Sequence, residues 1–166
     1  MNNPLLSLDA LPAWDRIRPE HVAPAVDALL AEANAALEQA VGAATPADYD
    51  ALSAVLDVAT ERLGRAWGAV RHLHAVADTP ELRAAYTQSL PRVTQFFTKL
   101  GADERLYAKY KRIAVAQQGR LSPPRRKALA NALRDFVLSG AELQGAAKER
   151  HAAIRQRLSA LQQQYS

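Results

Sequence analysis

The sequence predicts an all-α fold, an antiparallel multi-helix bundle with an extended N-terminal arm. Three observations carry that expectation. Alanine, leucine, glutamine, glutamate and arginine dominate nearly every segment, and these residues lose least on entering a helix. Apolar residues recur at spacings of three and four, and no β-branched run alternates with a period of two. Prolines stand directly behind capping residues, as at Thr45-Pro46, Thr79-Pro80 and Ser122-Pro123, which is the punctuation of helix starts. With 166 residues, 49% of them hydrophobic and 23% charged, the chain has material for one core of ordinary size.

Residues 1–17 read as the arm. Pro4 and Pro12 forbid a continuous helix there, while Leu5, Leu6, Leu8, Leu11, Trp14 and Ile17 supply anchors along a larger body. Residues 18–166 read as the helical domain. Its first helix opens at Pro19, with Glu20 at the positive end of the dipole, and buries Val22, Val26, Leu29, Ala33, Leu37 and Ala40. Pro24 falls inside it and predicts an irregular first turn, and Gly42 is the stop. The second helix is expected to use Thr45 as N-cap, Pro46 at the first position and Asp48 in the first turn. Its stripe is Leu52, Val55, Leu56, Ala59 and Leu63, resuming at Val70, Leu73 and Val76. Gly64 and Gly68 bracket Trp67 and predict a bend or a close helix contact.

Asp78-Thr79-Pro80-Glu81 starts a third helix with Leu82, Tyr86, Leu90, Val93, Phe97 and Leu100 on its inner face, kinked at Pro91. Asp103 opens a fourth, carrying Leu106, Tyr110 and Ile113 and closing at Gln118-Gly119. Ser122-Pro123 opens a fifth with Leu129, Leu133, Phe136 and Val137, and Ser139-Gly140 separates it from a final helix. On that last helix Ile154, Leu158, Leu161 and Tyr165 form an apolar seam on a polar background, and such seams want a partner. No glycine or proline stop follows Tyr165, so the helix either frays there or continues in a longer protein.

Charge is uneven. Residues 1–61 hold two basic and ten acidic side chains, residues 62–166 nineteen basic and seven acidic. The basic run over 99–134 reads as solvated helix faces, partly neutralised on folding by the acidic first third, rather than as a nucleic-acid surface, since no recognition module accompanies it. The absence of cysteine removes disulfides, thiolate metal sites and cysteine nucleophiles. No apolar stretch has the length of a membrane span, and the first residues do not read as a secretory signal.

The residues by themselves give no catalytic or metal site, and substrate-binding residues stay unassigned. A zinc helix needs two histidines four apart on one face. His72 and His74 are two apart, about 200° around a helix, and neither His21 nor His151 has a companion at the required spacing. Gly-rich phosphate loops and nucleophile elbows are absent. Trp14, Trp67, Phe96, Phe97, Tyr107 and Tyr110 read as core or interface aromatics.

Several segments in order carry a family resemblance. Asn3-Pro4-Leu5-Leu6, then Leu11-Pro12, then Ile17-Arg18-Pro19-Glu20-His21-Val22 with Pro24-Ala25-Val26 resembles the opening of the thimet-oligopeptidase family of zinc metallopeptidases. Pro80-Glu81-Leu82-Arg83 with Ala85-Tyr86 and Leu90-Pro91, then Leu106-Tyr107, continues the likeness. Asn131-Ala132-Leu133-Arg134-Asp135-Phe136 with Leu138-Ser139-Gly140 is similar to a recognisable family block, and Arg157-Leu158-Ser159 with Gln164-Tyr165-Ser166 to the place where the family's chain carries on. The resemblance implies the helical N-terminal region of a cytoplasmic zinc endopeptidase, one wall of a channel that admits short peptides. It implies zinc in the full-length enzyme, held by a His-Glu-x-x-His helix and a further glutamate that lie outside this chain, so no cofactor here and no activity of this chain alone. The partners implied are the catalytic remainder of the enzyme and, through it, short peptides; neither nucleic acid nor membrane is expected. The competing reading is a stand-alone helical interaction module that self-associates through Ile154, Leu158, Leu161 and Tyr165.

Overall fold

A computed structural model describes residues 3–7 and 11–165, excepting the side chain of Gln163. Among the described residues the architecture is all-helical: a 3-10 turn at Pro4–Leu6, then α1 (Pro19–Val41), α2 (Tyr49–Val76), α3 (Pro80–Gly101), α4 (Glu104–Ala116), α5 (Pro123–Leu138) and α6 (Gly145–Gln164). Helices α1 and α2 form a long antiparallel hairpin, α2 running about 42 Å at 1.5 Å per residue. Two apolar clusters hang on this hairpin. In the first, the start of α1 and the end of α2 (Val22, Leu29, Leu63, Val70) meet α3 through Leu82, Val93 and Phe96. In the second, the end of α1 and the start of α2 (Leu37, Leu52, Leu56) meet α4 and α5 through Leu106, Ile113, Leu129 and Phe136. Leu100, at the end of α3, packs against both.

The described part of the arm is not a straight segment. Asn3 caps the 3-10 turn by accepting the Leu5 N–H, and its amide donates to the His21 carbonyl at 2.8 Å. A hydrogen-bonded turn follows, Arg16 and Ile17 both donating to the Ala13 carbonyl. Leu5 and Ile17 are buried anchors, whereas Leu11 is 88% exposed; Leu8 lies outside the described residues. Helix α1 then runs unbroken through Pro24, contrary to the expected irregular turn. Pro24 and Glu20 are both exposed, so the Glu20 carbonyl, deprived of a helical N–H, faces water.

The start of α2 corrects the sequence reading. Its N-cap is Asp48, whose Oδ1 accepts the Ala51 N–H at 2.9 Å. Thr45 is buried and turned backwards, its hydroxyl donating to the Gln39 carbonyl near the end of α1. Gln117 ties this cap to the end of α4, accepting the Tyr49 N–H and donating to Asp48. Lys109 fills the same corner. Its ammonium donates to the carbonyls of Ala40, Gly42 and Thr45 at 2.5, 2.8 and 2.6 Å, closing the end of α1 and the α1–α2 loop from below.

Two further expectations shift. Helix α3 buries Leu82, Ser89, Val93 and Phe96, and Phe97 is 39% exposed; the inner stripe steps by seven, four and three, which leaves Phe97 about 100° round the helix from Phe96. The Gly64–Gly68 stretch of α2 neither breaks the helix nor meets a neighbour, since a Cβ on either glycine would find nothing within 4 Å. Helix α5 ends in a Schellman motif: Ala141 N–H donates to Phe136 O, Gly140 N–H to Val137 O, and Gly140 takes φ +90°.

Candidate interaction surface

The acidic first third folds onto the basic remainder. Asp27 pairs with Arg92 at 2.5 Å, Glu38 with Arg105 at 2.9 Å, and Asp50 with Arg125 at 2.7 Å. Arg105 also grips Asp103, the α4 N-cap, so one guanidinium joins two carboxylates. Its donated bonds hold the Glu38 carboxyl below the ordinary carboxylate range. Burial pushes Asp103 upward, but the Arg105 guanidinium and the Leu106 N–H outweigh it and the net direction is down. The 99–134 run is thereby broken into separate structural roles.

The histidines are dispersed, each engaged with a different neighbour. His21 Nδ1 accepts the Arg18 N–H at the start of α1. His72 stands against the Trp14 ring at 5.1 Å, and His74 stacks on Tyr86 at 4.2 Å with Asp78 at 4.0 Å. His151 leans over Gly140. Among the described residues no three His, Asp or Glu side chains converge as metal ligands.

What the fold does assemble is a furrow. Positions 49, 53, 57, 60, 64, 67, 68 and 71 of α2 lie within one arc of the helix, on the side away from α1. Three adjoining cavities follow that arc. The first, about 210 Å³, is shared with α4 and α5; the second, about 240 Å³, adjoins it at Asp57, Tyr110 and Ala132. The third meets the second at Phe97 and opens to about 950 Å³ between α2, α3 and α6. Its floor is aromatic: Trp67 stacks on Tyr86 at 5.0 Å and 5°, beside Phe97. The glycines at 64 and 68 keep that floor low.

Helix α6 is the outer wall. Among the described residues it buries none, packs against α3, and is tied to it by a 3.3 Å hydroxyl contact between Thr94 and Ser159. Of the seam expected on it, Leu158 and Tyr165 line the large cavity, Leu161 is half-buried, and Ile154 is 56% exposed and outside the cavity lining. Arg71 and Arg155 enter the same cavity from α2 and α6. Sequence reading missed both arginines. The signal that could have found Arg71 is a second stripe on α2, in which Gly64, Gly68 and Arg71 repeat at helical spacing about a third of a turn from the apolar one.

Comparisons with known proteins agree along the chain. The family model for the N-terminal domain of neurolysin and thimet oligopeptidase matches residues 26–148. Oligopeptidase A of Salmonella typhimurium is 41% identical over 167 aligned positions, covering 100% of this chain and 25% of the relative. Oligopeptidase A of Escherichia coli is 39% identical over the same coverage. A probable cytosolic oligopeptidase A of Arabidopsis thaliana is 34% identical over 99% of this chain and 24% of its own length. The chain thus spans about a quarter of the length of these curated relatives.

Proposed function

The chain belongs to the neurolysin/thimet oligopeptidase family through that family's N-terminal domain, and from this premise we propose that residues 18–166 serve as the helical channel wall of an oligopeptidase A-like zinc endopeptidase. The observation that carries the reading is the collinear likeness along the whole chain to a quarter of each relative. The enzyme so built hydrolyses short peptides in the cytoplasm, with zinc and the catalytic groups supplied by the portion outside this chain. His21 is committed to a cap and His72 and His74 to ring contacts, which supports that division. The chain by itself is inactive and needs no metal. Helix α6, with none of its described side chains buried, supports a partner on its outer side.

A quenched fluorescent octapeptide, incubated with the chain with and without zinc, tests the reading. No turnover is expected from the chain alone, and restored turnover when it is joined to the catalytic portion of a relative. Zinc-dependent turnover by the chain alone would overturn it. The exposure of Ile154 and Leu158 favours a second reading, a module that self-associates through α6. Sedimentation at rising concentration decides: a dimer dispersed by Leu158→Glu supports the second reading, and a monomer throughout removes it.

A further inference from the structure

We infer that the cavity between α2, α3 and α6 receives the carboxyl-terminal end of a short peptide, with Arg71 and Arg155 as its carboxylate anchors. The inference rests on the proposed function and gives its substrate a place and a direction on this domain. Charge complementarity carries it. The residues lining the cavity include two guanidinium groups and no carboxylate. Among the described residues neither Arg71 nor Arg155 has a hydrogen-bond or ion-pair partner, and both are exposed. Two unpaired guanidinium groups lining one cavity favour an anion within it, and a planar carboxylate matches the fork of a guanidinium.

The remainder of the cavity suits the rest of a peptide. Phe97 and Leu158, both exposed beside the Trp67–Tyr86 stack, offer surface for apolar side chains, while the hydroxyls of Thr94, Thr98 and Ser159 offer partners to peptide N–H and C=O groups. A volume of about 950 Å³ is at the upper end of small-ligand sites and holds several residues. Glycine at 64 and 68 weakens α2 by about 1 kcal/mol each relative to alanine. Since a Cβ there would meet nothing, the structure of this chain gives no reason for them; an occupant passing close to the α2 backbone does.

The test is fluorescence anisotropy of an eight-residue leucine- and phenylalanine-containing peptide, fluorescein-labelled at its amino end, with either a free carboxylate or an amide at the other. The free acid is expected to bind at least tenfold more tightly than the amide. Arg71→Gln combined with Arg155→Gln should erase that preference at an unchanged melting temperature, because both side chains are exposed and unpaired. Gly64→Leu with Gly68→Leu should abolish binding of both forms. Equal binding of acid and amide, no saturable binding, or an unaltered preference in the double arginine variant would each overturn the inference. So would a dimer that buries the cavity and binds no peptide. Acid and amide bound alike, alongside restored turnover in the joined enzyme, would remove this inference and leave the proposed function standing; an intact preference without restored turnover would do the reverse.

Discussion

Replacing Lys109 by methionine should destabilise the domain by about 3 kcal/mol. The substitution keeps most of the aliphatic stem, so it opens little cavity, but it removes the donor shared by the carbonyls of Ala40, Gly42 and Thr45. The Gly42 contact is only part-buried, and water can replace the ammonium there. The Ala40 and Thr45 contacts are buried, and each orphaned acceptor costs roughly 1–3 kcal/mol. Two such acceptors at about 1.5 kcal/mol apiece give the figure, equivalent to about 150-fold in the unfolding constant. Urea denaturation at pH 7 followed by circular dichroism reads it directly. With a slope near 2 kcal/mol per molar the midpoint should fall by about 1.5 M. Lys127→Met on the exposed face of α5 is the control and should move stability by no more than about 0.5 kcal/mol. Equal midpoints for the two variants would refute the argument that a buried ammonium closes this corner.

The α3 register makes a second prediction: Phe96→Ala should cost about 3–5 kcal/mol and Phe97→Ala well under half of that, by thermal or chemical unfolding, with the reverse order contradicting the packing. Gly140→Ala should cost about 1–2 kcal/mol, because φ +90° strains an L-residue and the new Cβ would lie 3.1 Å from both His151 Nδ1 and Leu143 Cδ1; an unchanged midpoint would contradict the Schellman geometry. Glu38 and Asp103 have folded-state pKa values held below their unfolded ones, so their contribution is present at neutral pH and lost as pH falls out of the ordinary carboxylate range and through those lowered values. Melting temperature measured from pH 6 to pH 2.5 should therefore drop less steeply in Arg105→Gln than in the unsubstituted chain, and parallel curves would remove Arg105 as the cause.

Local chemistry announced most of this fold. The starts of α1, α3, α4 and α5 fall where Pro19, Thr79-Pro80, Asp103 and Ser122-Pro123 put them, since each segment holds one competent signal. The start of α2 was ambiguous because Thr45 and Asp48 are both good caps, and the choice turned on the Gln39 carbonyl at the end of α1 and on Gln117, distant in sequence. Adjacent phenylalanines gave the α3 stripe two acceptable registers, and only packing on α1 chose Phe96. Lys109 was hidden inside a basic run; its burial depends on carbonyls more than sixty residues away. The furrow was hidden for a related reason. A search for apolar periodicity finds the side of α2 that meets α1, and says nothing about a side defined by what is missing from it.

The shared hairpin constrains how the domain can be cut. A piece ending at Gly101 keeps the contacts among Val22, Leu63 and Phe96 but strips the cover from Leu37, Leu52 and Leu56. A piece beginning at Asp103 keeps α4 and α5 yet takes Leu37, Leu52 and Leu56 away from Leu106 and Ile113. Neither half keeps its core covered, so for evolution and the bench alike the smallest transferable unit runs from the 3-10 turn that buries Leu5 to the Schellman turn after α5, and α6, with no described side chain buried, is the piece whose exchange disturbs the core least.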